Sequence, residues 1–231
     1  MSYEASAHQV QMEVLRKLLF MKQASFSELL KATDLTSDHF NFHIKQLIDA
    51  GYLKKEDGSY ELTRSGKEYA NRMDTDEKVL EKQPKISVLL IVENEDGRFL
   101  SQQRLKQPFY GFWGRATGKV RWGETLEEAA SRELEEETGI TADFRFAGLY
   151  HKMDYEKTGD FLEDKYFMVM YGINPKGELR DAEGHHNEWL TVEELEAKDK
   201  VFESIAEIVE FAQDNSKSLF EQSYYYEPTE Y

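Results

Sequence analysis

Residues 118–140, GKVRWGETLEEAASRELEEETGI, constrain this chain more than any other stretch, because seven acidic residues fall in one helix-sized segment. Advancing about 100° per residue over residues 126–138, Leu126, Ala129, Ala130 and Leu134 form one apolar stripe that should face the protein body. Glu133, Glu136 and Glu137 project within roughly 100° of one another and overlap that stripe, whereas Glu127, Glu128 and Glu135 fall on the solvent side. Three carboxylates are therefore expected at the inward edge of the helix's last turns.

A solvated acidic face accounts for Glu127, Glu128 and Glu135. It does not account for carboxylates on the buried side, since like charges taken out of water repel unless they are paired or bound to metal. Carboxylate oxygens are hard ligands suited to Mg²⁺ or Mn²⁺, and Mg²⁺ also binds substrate phosphates. The chemistry suggested is metal-assisted attack on a phosphoanhydride.

Gly118, Glu124 and the run Arg132-Glu133-Leu134-Glu135-Glu136-Glu137-Thr138-Gly139-Ile140 resemble a complete Nudix box, with every fixed position filled at the right spacing. The resemblance implies a loop–helix–loop that holds divalent metal (Mg²⁺, with Mn²⁺ as an alternative) against a diphosphate. It makes Glu133, Glu136 and Glu137 metal ligands, Glu124 a supporting carboxylate and Arg132 the partner that orients the glutamates. The Gly118 carbonyl is a further candidate ligand, and Glu133, Glu136, Glu137 and Arg132 form the expected catalytic set.

The chain has 231 residues, enough for one large or two modest domains. It has no cysteine, which removes disulfides and thiolate sites and fits a reducing compartment. Neither a membrane-length apolar run nor a signal-peptide pattern is present, so a soluble, cytoplasmic protein is expected. Residues 1–80 hold 11 Lys and Arg against 13 Asp and Glu, and residues 81–231 hold 18 against 32. The acidic second part should repel a nucleic-acid backbone while admitting a small metal-bound nucleotide.

Towards the N-terminus, Val10, Val14, Leu15, Leu18 and Leu19 recur at helical spacing up to about Met21. Ser25 with Glu28 reads as a capping box for a second helix, and Thr36 opens a third in which Phe40, Ile44, Leu47 and Ile48 face inward before Gly51. Residues 52–62 read as two strands around Asp57-Gly58, and Thr63 opens a fourth helix over about residues 64–73. This order resembles a winged helix-turn-helix domain, as does the Leu62-Thr63-x-x-Gly66 junction. In such a domain Ser37, His39, Asn41, Phe42 and Lys45 would face the major groove, with Lys54 and Lys55 on the wing. Acidic Asp38, Asp49, Glu56 and Asp57 lie beside them, so a protein-interaction or dimerisation module is the alternative to DNA binding.

Residues 74–84 read as a linker, and 86–92 as a strand buried on both faces. Asn94-Glu95-Asp96-Gly97 turns the chain into a strand over 98–103, and Arg104 is a family-like substrate position. Where the family commonly reads Trp-x-x-Pro-Gly-Gly, this chain has Trp113-Gly114-Arg115-Ala116-Thr117-Gly118, which leaves Arg115 either to phosphate or to an ordinary surface role. Strands are expected over 144–152 and 165–173, a polar loop that could rim a site over 154–164, and helices over 192–198 and 201–212. Glu183 and Glu188 are alternative late-loop acidic residues. The aromatic, acidic tail of residues 216–231 is expected to dock simply or to fray.

The expected architecture is an α/β class Nudix α/β/α sandwich with a mixed sheet (residues 85–215), preceded by a small winged-helix domain (1–73) and the linker. The expected function is a Mg²⁺-dependent pyrophosphohydrolase cleaving the diphosphate of a nucleoside diphosphate-linked small molecule. The alternative is a DNA-binding regulator whose Nudix domain senses a nucleotide metabolite. A homodimer stays open and a membrane is not a partner.

Overall fold

The computed structural model describes residues 9–74, 79–80, 82–214 and 216–231, and its contacts divide the chain into residues 1–82 and 83–231. In the second unit β6 (Lys85–Val92), β7 (Phe99–Arg104), β8 (Trp113–Gly114) and β9 (Ala116–Lys119) lead to α5 (Leu126–Thr138); here β1 to β5 and α1 to α4 belong to the first unit. There follow β10 (Ile140–Glu156), β11 (Phe161–Gly177), β12 (His185–Leu190), α6 (Val192–Glu196), α7 (Ile205–Gln213) and β13 (Leu219–Tyr226). The main sheet has the order β13-β10-β11-β6-β9, in which β13 runs parallel to β10 and β6 parallel to β11, while the β10–β11 and β6–β9 pairs are antiparallel. A smaller sheet has the order β12-β7-β8.

Strand β6 shows why the sheet is covered on both faces. Val88, Leu90 and Val92 pack with Ala129, Ala130 and Leu134 of α5, while Leu89 and Ile91 pack with Ile208, Val209 and Phe211 of α7. Side chains alternate across a strand, so a continuous apolar run serves two helical layers. The result is the expected α/β/α sandwich around a mixed sheet.

Three expectations in this unit are corrected. Residues 154–164 are mostly strand, turning only at 157–160, because Asp154 and Glu163 sit opposite one another in the β10–β11 register and are buried with Lys152 and Lys165. The last helix starts at Ile205, later than residue 201, since Val201 bridges to Trp113 and Ser204 is left-handed at φ 62°. Of the docking or fraying expected of the tail, it docks, and the domain extends past residue 215 because β13 forms the edge of the main sheet, with Tyr224 and Tyr226 buried. Its alternation puts every second tyrosine into the core.

The first unit contains α1 (Gln9–Leu19), β1 (Ala24–Ser25), α2 (Phe26–Leu30), α3 (Ser37–Asp49), β2 (Leu53–Glu56), β3 (Ser59–Leu62) and α4 (Arg64–Ala70), then the ladder of β4 (Met73–Asp74) with β5 (Val79–Leu80). Its core joins Leu15, Leu18, Leu29, Phe40, Ile44 and Leu47. The capping box of Ser25 and Glu28 is present, and Asp57-Gly58 turns the hairpin with positive φ at both residues. Gly66 packs so tightly on Tyr52 that an added Cβ would lie 2.0 Å from its carbonyl oxygen. The hairpin gains β1 as a third strand, and α4 stops at Ala70, short of residue 73. Of the expected linker, residues 75–78 and 81 lie outside the described residues, and Asp74 belongs to β4.

Candidate active site

The box begins where β9 pairs with β6 and ends at the left-handed Gly139, φ 75°, which caps α5. At the other end of α5, the Thr125 side chain accepts from the Glu128 amide while the Thr125 amide donates to Glu128 Oε2 at 2.8 Å. The loop before it folds on Glu124, whose Oε2 accepts from the Arg121 amide at 2.8 Å.

Arg132 is the hub of this arrangement. Its Nε donates to Glu124 Oε1 at 2.5 Å, its Nη2 to Glu124 Oε2 at 2.8 Å and to the Lys119 carbonyl at 3.0 Å, and its Nη1 to Glu133 Oε1 at 2.7 Å and Glu136 Oε2 at 3.2 Å. One planar guanidinium thus ties loop, helix and two box glutamates together. Arg132 holds the Glu124 carboxyl down at about 2, with help from the Arg121 amide. Glu133 is tucked against Gly118 so closely that a Cβ there would lie 2.0 Å from Glu133 Cγ.

The inward placement expected for all three glutamates holds for two. Glu133 and Glu137 are largely covered, whereas Glu136 is 52 % exposed and takes Arg121 as a second partner, Nη2 to Oε2 at 3.2 Å. Glu137 turns to a different neighbour: His185 Nδ1 of β12 lies against its Oε2, at ion-pair distance but without hydrogen-bond geometry, and both atoms are buried. Burial raises the Glu137 pKa, yet His185, Lys106 and Arg104 outweigh it and hold the group below the usual carboxylate value. Among the described residues no three His, Asp or Glu side chains converge at metal-binding distance.

Arg104 sits across the β7–β12 ladder from His185, its Nη2 donating to the Gln107 carbonyl at 2.9 Å and its Nε to that of Pro108. Burial lowers its pKa against the charges of Glu163 and Glu137. Arg115 departs from the expected surface role, because it is 7 % exposed, over the Phe99 ring, with Nη1 donating to the Leu100 carbonyl and Ser101 Oγ at 3.2 and 3.0 Å. Burial pushes its pKa down to about 10. Neither late-loop candidate meets Glu137: Glu188 is held by His186 and Lys198, 2.9 and 2.8 Å, and Glu183 is exposed. The residue that does meet it is His185, not a carboxylate, and its sequence signal is the alternation of residues 185–190, which puts His185 and Asn187 on one buried face.

In the first unit Ser37, His39, Asn41, Phe42 and Lys45 are all exposed on α3. Lys54 is shared between Glu56 and Glu61 at 2.8 and 2.5 Å, and Lys55 lies over the Tyr60 ring.

The donor set fits a hard divalent cation: Glu133, Glu136 and Glu137 supply only oxygens, Gly118 lets Glu133 close on the strand by lacking a Cβ, and Glu137 Oε2 is buried without a hydrogen bond. No helix among the described residues is long and apolar enough to cross a membrane.

The NUDIX domain family model matches residues 83–211, and that of a domain of unknown function (DUF7347) matches residues 1–73. An 8-oxo-dGTP diphosphatase of Haemophilus influenzae is 36% identical over 108 residues, 46% of this chain and 76% of that protein. An RNA pyrophosphohydrolase of Erythrobacter litoralis is 37% identical over 75 residues, 32% of this chain and 44% of that protein, so the match spans under half of its length. The crystal structure of a MutT protein from Methanosarcina mazei Go1 is 28% identical with a TM-score of 0.48, covering 60% of this chain and 99% of that one. With the family model matching more than half of the chain over the unit that carries the box, this protein belongs to the Nudix hydrolase family.

Proposed function

We propose that this chain is a Mg²⁺-dependent pyrophosphohydrolase that cleaves the diphosphate of a nucleoside diphosphate derivative. The observation that carries the reading is that Arg132 binds Glu133 and Glu136 while His185, the cross-strand partner of Arg104, lies against Glu137 on the same helix. Glu133, Glu136 and Glu137, with the Gly118 carbonyl, would hold the cation. When bound, it supplies neutralisation of the diphosphate and acidification of an attacking water. Arg104, already anchored by its own loop carbonyls, offers its remaining donors to a phosphate oxygen. Glu137, kept ionised by the cations around it, is the group suited to take the water's proton as the P–O bond to the leaving phosphate breaks. Arg132 keeps Glu124, Glu133 and Glu136 in place throughout.

The test is a Mg²⁺-supplemented screen of oxidised and normal dNTPs, ADP-ribose, other nucleotide sugars and dinucleoside polyphosphates, with Glu137→Gln as control. Turnover of one substrate class, lost with chelator and in the variant, is the expected result. Wild type that binds a nucleotide with Mg²⁺ and never hydrolyses it would overturn the reading.

A second reading, DNA binding by the first unit, is favoured by one observation, the exposed row Ser37, His39, Asn41, Phe42 and Lys45 on α3. The carboxylates on Lys54 weigh against tight phosphate contact. A salt titration of the full chain on random duplex tests it, with weak binding expected and a steep salt slope at physiological salt refuting that expectation.

A further inference from the structure

We infer that His185 and Asn187 are positioning residues that set where Glu137 stands, one through its carboxylate and the other through its backbone. The inference rests on the proposed hydrolase reading. Both are alternate residues of β12, 5 % and 6 % exposed, and both point to the last turn of α5.

A helix leaves its last four carbonyls without intrahelical partners, and Glu137 contributes one of them. Asn187 Nδ2 donates to the Glu137 carbonyl and to the Arg180 carbonyl, both at 2.8 Å. Its Oδ1 accepts from Gln102 Nε2 at 3.2 Å, and its amide donates to Asp181 Oδ1 at 2.8 Å. A single buried amide therefore pins the helix end to β7, to β12 and to the 180–181 loop. The assignment of its nitrogen follows from the network, since two carbonyls can only be met by a donor.

His185 then governs the side chain. A glutamate has three rotors and selects no direction by itself; a buried imidazole against Oε2 removes most of that freedom. Because His185 pairs with Arg104 and Asn187 with Gln102 across the β7–β12 ladder, the strand that carries Arg104 is paired in register with the strand that carries the support for the box glutamate. The register of two strands thus sets the relation between phosphate-binding and proton-accepting groups.

The test uses the full chain and two readouts, Mn²⁺ affinity measured directly and steady-state kinetics. Asn187→Asp keeps the shape but faces two carbonyls with an acceptor; His185→Leu removes the imidazole, while His185→Asn returns a polar atom near the place of Nδ1. Asn187→Asp and His185→Leu should each weaken Mn²⁺ binding and lower kcat about 10- to 100-fold, with KM within about threefold, the loss seen when supports of metal ligands are removed. His185→Asn should recover most of it. Asn187→Ser serves where Asn187→Asp does not fold. A melting-point drop with intact Mn²⁺ affinity and kcat would show a merely structural role and overturn the inference, as would His185→Asn as impaired as His185→Leu. Wild-type Mn²⁺ binding lost in Glu137→Gln yet indifferent to both positions overturns this inference alone; wild type that binds no Mn²⁺ overturns the hydrolase reading and this inference with it.

Discussion

Gly118→Ala is expected to destabilise the second unit and to dislodge Glu133 in one step. Gly118 does not have positive φ, so alanine is sterically allowed by the backbone and the whole effect comes from space. The new Cβ would lie 2.0 Å from Glu133 Cγ, 2.1 Å from Cδ and 2.4 Å from Oε2. The backbone cannot retreat freely, because Gly118 is buried and paired with Val88 on β6. Glu133 must turn away, abandoning the 2.7 Å bond from Arg132 Nη1 in a pair whose side chains are only 15 % and 14 % exposed. A charge-assisted bond is worth about 1.5–3 kcal/mol and overpacking costs about 1–3 kcal/mol, offset by about 0.4–1 kcal/mol from the less flexible unfolded chain. A net loss of roughly 2–5 kcal/mol follows, or about 5–15 °C in melting temperature at this size. Calorimetry of Gly118→Ala, Glu133→Ala and the double variant measures it. In the Glu133→Ala background the clash is gone, so Gly118→Ala should then cost under about 1 kcal/mol. An unchanged melting point for Gly118→Ala, or the same cost in both backgrounds, would refute the steric reasoning.

His151 of β10 places Nδ1 2.7 Å from Glu221 of β13 and Nε2 2.8 Å from Asp164 of β11, so holding both carboxylates requires the doubly protonated ring. Burial lowers its pKa, but the two carboxylates outweigh that and leave it raised; its stabilisation is then full below the ordinary imidazole value near 6.5 and lost as pH rises through the folded value. Hydrogen exchange of β13 amides should accelerate over that window beyond the intrinsic base-catalysed rise, in wild type but not in His151→Gln, and an equal pH response in both would refute it. Glu136→Gln should lose most turnover yet melt within about 0.5 kcal/mol of wild type because its side chain is half exposed, whereas Glu135→Gln should change neither; turnover in Glu136→Gln equal to that in Glu135→Gln would remove Glu136 from the site. Tyr224→Ala should cost about 3–5 kcal/mol, since the ring is 1 % exposed and its hydroxyl meets that of Tyr150 at 2.9 Å; denaturant unfolding that shows under 1 kcal/mol would mean that β13 contributes little.

What the sequence determined by itself is local. The helix of residues 126–138, the Ser25–Glu28 capping box, the Asp57-Gly58 hairpin and the two-faced strand at 86–92 are legible because each is specified by neighbours within a few residues, through helical or strand periodicity, caps and positive-φ turns. The box spacing likewise places Arg132 within reach of Glu124, Glu133 and Glu136 on one helix and its leading loop. The tertiary structure decided what depends on pairing between distant strands. Asp154 looks like a loop residue until Lys152 and Lys165 neutralise it inside the sheet, and Arg115 looks like a surface cation until Ser101 and Phe99 enclose it. The tail reads as polar and aromatic, but it becomes a strand because parallel pairing with β10 satisfies its backbone and buries Tyr224 and Tyr226. His185 meets Glu137 only because the end of α5 packs on β12, where Asn187 binds the Glu137 carbonyl, and no local pattern encodes a contact between residues 48 positions apart.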